Sequence, residues 1–338
     1  MRKNKFLLIA LAVAGMFTAC SEKDDVVKMN QENGISFRLQ GGMPSTKATA
    51  TTAGNVNAFA VYGIDDVAAA GSGVNIFEGI TVARQLNGTF DYNPKKYYSM
   101  GAVDAEFFAF SPVSAFAKIS NLDATDLYTE ASFDYEVVVP DATGNTVQED
   151  LLVAGTSVTI APATAVSLDF SHALSRIFVK ATNTLSDDIV IKGLTLKNLN
   201  STGTITGTIG TPWTWAWSAQ ADPIDYEYIL ATTGVAVQAG VSAATLVTSM
   251  EQGMLVLPQA TAANNGDNIF DTGEFALEVT YDVANLTNQK GYVFLTSGFS
   301  FVENTQYAIT ITFSGLSLIE INFDITVSSF TDDATYPL

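Results

Sequence analysis

The sharpest pattern in the chain lies near its C-terminal end. From Leu318 to Val327, the apolar residues Ile319, Ile321, Phe323, Ile325 and Val327 alternate with Glu320, Asn322, Asp324 and Thr326. A period of two puts the apolar set on one face of a strand and the polar set on the other. Gly34–Gln40 alternates in the same way, with Ile35, Phe37 and Leu39 on one face, and a polar, turn-rich loop follows from Gly41 to Asn55. Strands are also expected at Val56–Ile64, Asn75–Arg84, Glu106–Phe110, Phe133–Val139 and Asp150–Ala154. Ala165–Phe170 and Leu174–Ala181 read as strands that could join into one long strand across a domain boundary. The series continues with Ile189–Leu196, Thr204–Ile209, Trp213–Trp217, Met254–Leu257, Phe275–Val283, Gly291–Thr296 and Tyr307–Phe313. Helix is expected only near Ser114–Ala124. Short strands at fairly regular spacing point to an all-β protein built of sandwiches or barrels.

The first residues do not belong to that series. Arg2, Lys3 and Lys5 precede an apolar stretch from Phe6 to Met16, and Phe17-Thr18-Ala19-Cys20 closes it. A segment this short does not span a bilayer and reads as a cleaved export signal. Small residues before a cysteine form a lipobox, which puts the cut between Ala19 and Cys20 and lipid on the Cys20 thiol. The competing reading is an ordinary secreted protein with a chance cysteine. Several acyl chains, at ~0.8 kcal/mol per buried methylene, hold a protein firmly on a membrane where one chain does not. Ser21-Glu22-Lys23-Asp24-Asp25 is a short acidic tether. It resembles the export signal that sends some lipoproteins to the outer face of the outer membrane. The expected organisation is a signal peptide over 1–19, a tether over 20–33, and sandwich domains over 34–171 and 172–338, with the break near His172.

Composition narrows the partners and the chemistry. The full chain carries a net charge of −19, from 16 Lys and Arg against 35 Asp and Glu. Losing Arg2, Lys3 and Lys5 makes it −22. Such a chain repels nucleic acid and anionic membrane surfaces. Membrane contact is therefore expected only through the lipid. Cys20 is the sole cysteine, so neither a disulfide nor a thiolate metal site is expected. His172 is the sole histidine. On a strand, Ser171 and His172 point to opposite faces, which is unsuitable for a nucleophile and its base. No zinc-protease, phosphate-loop or dinucleotide motif appears. An enzyme is not expected, and neither is a cofactor or a resident metal. Asn264-Asn265-Gly266-Asp267-Asn268 with Asp271 lacks the spacing of a calcium loop and reads as a turn. Trp213, Trp215 and Trp217 are spaced by two and share a strand face. They form either a platform for a sugar or protein ligand or an aromatic patch inside a sandwich or between domains.

Several segments, taken in order, carry a family likeness. They are the lipoprotein signal, the loop Ser45-Thr46-Lys47-Ala48-Thr49 after the first strand, and Phe107-Phe108-Ala109-Phe110-Ser111-Pro112. Then come Asp150-Leu151-Leu152-Val153-Ala154, Leu168-Asp169-Phe170-Ser171-His172-Ala173-Leu174-Ser175-Arg176, Met254-Leu255-Val256-Leu257-Pro258-Gln259, and the closing strands. With these the chain resembles the fimbrillins, the subunits of type V pili. The resemblance implies two tandem transthyretin-like β-sandwiches. It also implies a lipoprotein precursor that a trypsin-like protease cuts in the loop after the first strand. That strand then leaves, and a strand from another subunit fills its groove. Lys47 is the only basic residue of the loop, which makes Lys47–Ala48 the candidate cut. The family more often has Arg there, and an uncut surface loop is the alternative. Leu318–Val327 is either the donated strand or the last strand of the second sandwich. The expected partners are other fimbrial subunits, the processing protease, and a host protein or glycan receptor. Stalk, tip and accessory roles stay open, as does a non-polymerising glycan-binding lipoprotein that uses the tryptophan row.

Overall fold

The computed structural model describes residues 34–40, 56–67, 73–124, 127, 129–139, 148–162, 164–228, 230–248, 253–262, 269–294 and 299–314, and the backbone of 321–329. The chain begins with β1 (Phe37–Leu39), β2 (Ala58–Val67), β3 (Val74–Arg84), β4 (Phe90–Asp91) and β5 (Ala102–Ser111). A 3-10 turn, Val113–Lys118, leads to β6 (Ile119–Asp123) and β7 (Glu130–Glu136). Next come β8 (Leu152–Thr159), β9 (Val166–Leu168), β10 (Ser171–His172), β11 (Ser175–Asn183), β12 (Ile189–Thr208) and β13 (Thr214–Tyr228). The last are β14 (Val235–Val237), β15 (Val241–Leu246), β16 (Met254–Val256), β17 (Ala276–Val283), β18 (Leu286–Val293), β19 (Thr305–Phe313) and β20 (Ile321–Ser329). The protein is all-β.

These strands form three larger sheets and one small one. The first has the order β10-β8-β5-β2-β3-β4 and is antiparallel throughout. The second has the order β18-β17-β12-β7-β6, with β13 and β14 also on β12. The third has the order β15-β11-β19-β20, with β16 also on β11 and a parallel β11–β19 pair. The small sheet is β1 beside β9, a parallel pair.

The first sheet is covered on both faces, which explains β5. From Ala105 to Ser111 every residue is buried, because alternate side chains enter different cores. Phe107 and Ala109 join Phe37, Phe59, Phe77 and Val166 in a small core under β1 and β9. Phe108 and Phe110 join Phe133, Trp213 and the apolar faces of the other sheets in a much larger core.

Three expectations change. The helix expected over Ser114–Ala124 is a 3-10 turn ending at Lys118, followed by edge strand β6 on β7. Ala115, Ile119 and Leu122 do fall at helical spacing, but Ile119 and Ser120 pair with Tyr135 and Asp134 of β7 instead, which draws the chain out as a strand. The stretch from Ala165 to Ala181 is not one strand but β9, β10 and β11, each in a different sheet. Ile189–Leu196 and Thr204–Ile209 fuse into β12, whose pairing with β13 shifts between Leu196 and Leu199 and again between Thr202 and Thr204. Near His172 the chain does pass from the first sheet to the third. The two halves are nonetheless interleaved, because β7 pairs with β12 from Thr202 to Thr208.

Candidate functional site

β1 sits in a built seat. Phe37 is opposite Val166 and Leu39 is opposite Leu168. Val166 N–H donates to Ser36 O at 2.8 Å, and Gln40 N–H donates to Leu168 O at 2.8 Å. On the other flank, Ile35 N–H donates to Lys96 O at 2.9 Å, and the Tyr92 hydroxyl donates to Ile35 O at 2.7 Å. Burial pushes the Tyr92 hydroxyl up to about 12, so it stays a donor at any physiological pH. Ile35 and Phe37 are buried, while Leu39 is half-buried. The Phe37 ring meets Phe59, Phe77, Tyr92 and Phe107 edge-on, with centroids 5.3–5.9 Å apart. Gly34 has φ +75°, and a Cβ there would lie 2.9 Å from Lys96 O, so the approach to the seat suits glycine. Arg38 points outward and donates to the Ser167 hydroxyl.

The other predicted residues fall in several places. Ala19, Cys20, Lys47 and Ala48 lie outside the described residues, as do Ile319 and the turn 264–268. Ile321, Phe323, Ile325 and Val327 are on β20, opposite Phe313, Ile311, Ile309 and Tyr307. β20 ends the sheet order, so one of its backbone edges carries no partner among the described strands. His172 is buried with its Nδ1 2.5 Å from Asp150 Oδ2, while Ser171 lies on the opposite face of the strand. Sequence reasoning missed Asp150 as that partner. The signal available was an acid heading the apolar run Leu151–Ala154 in a chain with one histidine.

The tryptophans share a face, as their spacing predicts, and that face is turned inward. Each indole lies on a glycine. A Cβ on Gly155 of β8 would fall 2.2 Å from the Trp213 ring, and one on Gly207 of β12 would fall 2.3 Å from Trp215. A Cβ on Gly203 would fall 3.2 Å from Trp217. Trp213 is buried and Trp215 packs on Phe108. Trp217 Nε1–H donates to Ala173 O at 2.8 Å. An indole face covered by backbone cannot stack on a sugar ring. The row is a seam that joins the first sheet to the β12–β13 ribbon. Beside it, Glu106 is buried and accepts the Ser157 hydroxyl at 2.6 Å, and burial holds its carboxyl above the ordinary range.

Among the described residues, no cluster of His, Cys, Asp or Glu is placed to hold a metal ion. No helix among them is long and apolar enough to cross a membrane. A family model described as fimbrillin-like matches residues 46–328. No curated protein matches the chain. Among solved structures, a fimbrial protein from Bacteroides vulgatus matches with a TM-score of 0.61 at 16% identity, covering 88% of this chain and 99% of that one. A putative cell adhesion protein from Bacteroides uniformis matches with a TM-score of 0.51 at 16% identity, with the same coverages.

Proposed function

The chain belongs to the fimbrillin-like family, and on that premise we propose that it is a structural subunit of a cell-surface fimbrium that supports adhesion. The precursor is exported as a lipoprotein on Cys20 and held at the outer face of the outer membrane. A trypsin-like protease cuts between Lys47 and Ala48. β1 then withdraws, and a strand from a neighbouring subunit takes its place. The fimbrium is a homo- or heteropolymer, and the chain has no catalytic role.

One observation carries this reading. A segment that precedes the candidate cut fills the small core with Ile35 and Phe37, yet only a three-residue ladder and a few flanking hydrogen bonds join it to the rest. Its loss would uncover the Val166–Leu168 backbone edge together with an apolar pocket. An incoming strand satisfies both by β-augmentation. Apolar side chains at every second position would set its register. β20 carries that alternation, and as an edge strand it can leave without unpairing two neighbours.

N-terminal sequencing of subunits from assembled fibres tests the route. Ala48 at the new terminus is expected. A lipid-bearing Cys20 on polymerised subunits would overturn it.

A further inference from the structure

The geometry points to a second contact between copies of this chain, in which the loop Pro94–Met100 of one subunit docks into a polar groove on the next. This rests on the subunit reading above and names a partner surface for it.

The loop is exposed but rigidly held. Ser99 N–H donates to Oδ2 of the fully buried Asp65 at 2.5 Å, and Ala102 N–H donates to Ser99 O at 3.1 Å. In the precursor Lys96 O also accepts Ile35 N–H, a contact that leaves with β1 and frees this carbonyl beside the emptied seat. From this frame Tyr97 is 49% and Met100 92% exposed, so both side chains are available to a partner. Lys95 is taken by Asp91, whereas no ion pair holds the Lys96 ammonium among the described residues. An aromatic, a methionine and a cation presented on fixed backbone have the chemistry of an interface anchor.

The groove has a volume of about 420 Å³ and lies across β6, β7, β12 and β13. Ala117, Ile119 and Ala219 give it apolar walls, and Asp134, Glu136 and Asp222 line it with carboxylates. Lys118 is the cation in the lining, 3.6 Å from Glu136 in an exposed pair. Ala219, at φ +47°, lies in the register shift between Thr202 and Thr204, and Asp222 nearby has φ +56°. Asp134 accepts Thr204 and Asn121, and these hydrogen bonds hold its carboxyl below the ordinary range, so it keeps its negative charge.

Position in the fold identifies the occupant as a second copy. The loop immediately precedes β5, and the groove's Ala117–Ser120 wall follows it by one 3-10 turn. Ten residues of strand separate the two by roughly 30 Å. Complementary patches at opposite ends of β5 make a heterologous contact, which runs from copy to copy as a filament requires. The loop also borders the β1 seat through Ile35 and Lys96, so a neighbour filling that seat arrives beside it.

The test uses full-length chain treated with a trypsin-like protease. Wild type, Lys96→Glu and Glu136→Lys are compared alone, and the two variants are also mixed in equal amounts. Polymer growth is followed by light scattering and SDS-resistant ladders. Each variant alone is expected to assemble about three- to tenfold more slowly, with unchanged monomer melting. The mixture is expected to assemble faster than either variant alone, because alternating copies avoid the like-charge pairing of loop and groove that each variant meets with itself. Tyr97→Ala should slow assembly in every background. Wild-type polymerisation with both variants unaffected, or a mixture as slow as its components, overturns the contact and leaves the subunit reading standing. A wild type that never polymerises overturns both.

Discussion

Replacing Phe37 with alanine separates precursor from polymer. Phe37 is 5% exposed and meets four aromatic rings. Truncating a phenylalanine in so packed a site costs about 3–5 kcal/mol, from lost transfer energy and the cavity left behind. On the proposed route the loss falls on the precursor alone, since β1 would be absent from the processed subunit. Hydrogen exchange reads it locally, because the Val166 amide donates to Ser36 O and the Gln40 amide to Leu168 O across the β1–β9 pair. Their protection should drop at least about a hundredfold, at ~1.4 kcal/mol per tenfold. Strand replacement after cleavage should accelerate for the same reason. Assembled fibres should melt like wild type. Phe59→Ala is the control: Phe59 is fully buried in the same core but stays in the mature chain, so precursor and fibre should both weaken. Fibres of the Phe37 variant that weaken as much as its precursor would show β1 still in place, and the reasoning would fail.

Other outcomes follow from the same geometry. Truncation after Phe313 should leave a folded monomer by circular dichroism and abolish SDS-resistant polymer, because β20 is an edge strand; a monomer that fails to fold would make β20 core instead. Gly155→Ala forces a methyl into the Trp213 ring and should cost about 1–3 kcal/mol in urea unfolding, partly recovered by adding Trp213→Phe. Burial makes Glu106 bind its proton more tightly when folded than unfolded, so its contribution to stability falls as pH rises through the folded value; Glu106→Gln should flatten the decline in melting temperature as pH rises above the ordinary carboxylate range. A variant with the wild-type pH profile would remove Glu106 from the account.

What could be read from the chain was whatever depends on near neighbours. Strict alternation marks β1 and β20, and the unbroken run Phe107–Phe110 reflects burial of β5 on both faces. Pairings set by distant partners are not written locally. Nothing in Gly34–Gln40 says that it runs parallel to β9, because that register comes from a partner strand more than a hundred residues away. Spacing puts Trp213, Trp215 and Trp217 on one face but does not say which way that face looks. The glycines decide that. Gly203 and Gly207 lie four apart, on one face of β12, and with Gly155 they open slots that only a flat ring can fill. β12 escaped as a single strand because a bulge shifts the phase of alternation, so two in-phase segments look like separate elements. In β6 the two half-buried apolar residues, Ile119 and Leu122, are three apart, so there is no period of two to detect.

The division into two cores bears directly on whether a subunit could survive losing a strand. Were Phe37 part of the large core, its removal would open a void beneath three sheets and threaten the whole fold. It lies instead in the small core, which meets the large one only across the first sheet, through alternate residues of β5 and its neighbours. Phe107 looks toward the vacated seat, while Phe108 looks away and stays packed on Phe133 and Trp215. The tryptophan seam ties that sheet to the β12–β13 ribbon without using any β1 residue. Emptying the seat therefore exposes one face of one sheet while its other face remains clamped. A sheet held flat in this way presents a preformed groove, which lowers the ordering cost of binding the incoming strand. Weakening the seam should then slow strand capture even though Trp213 lies on the opposite side of the sheet from the seat. Gly155→Ala should assemble more slowly than wild type at temperatures where its monomer is still fully folded, and an unchanged rate would mean that the groove does not depend on the clamp behind it.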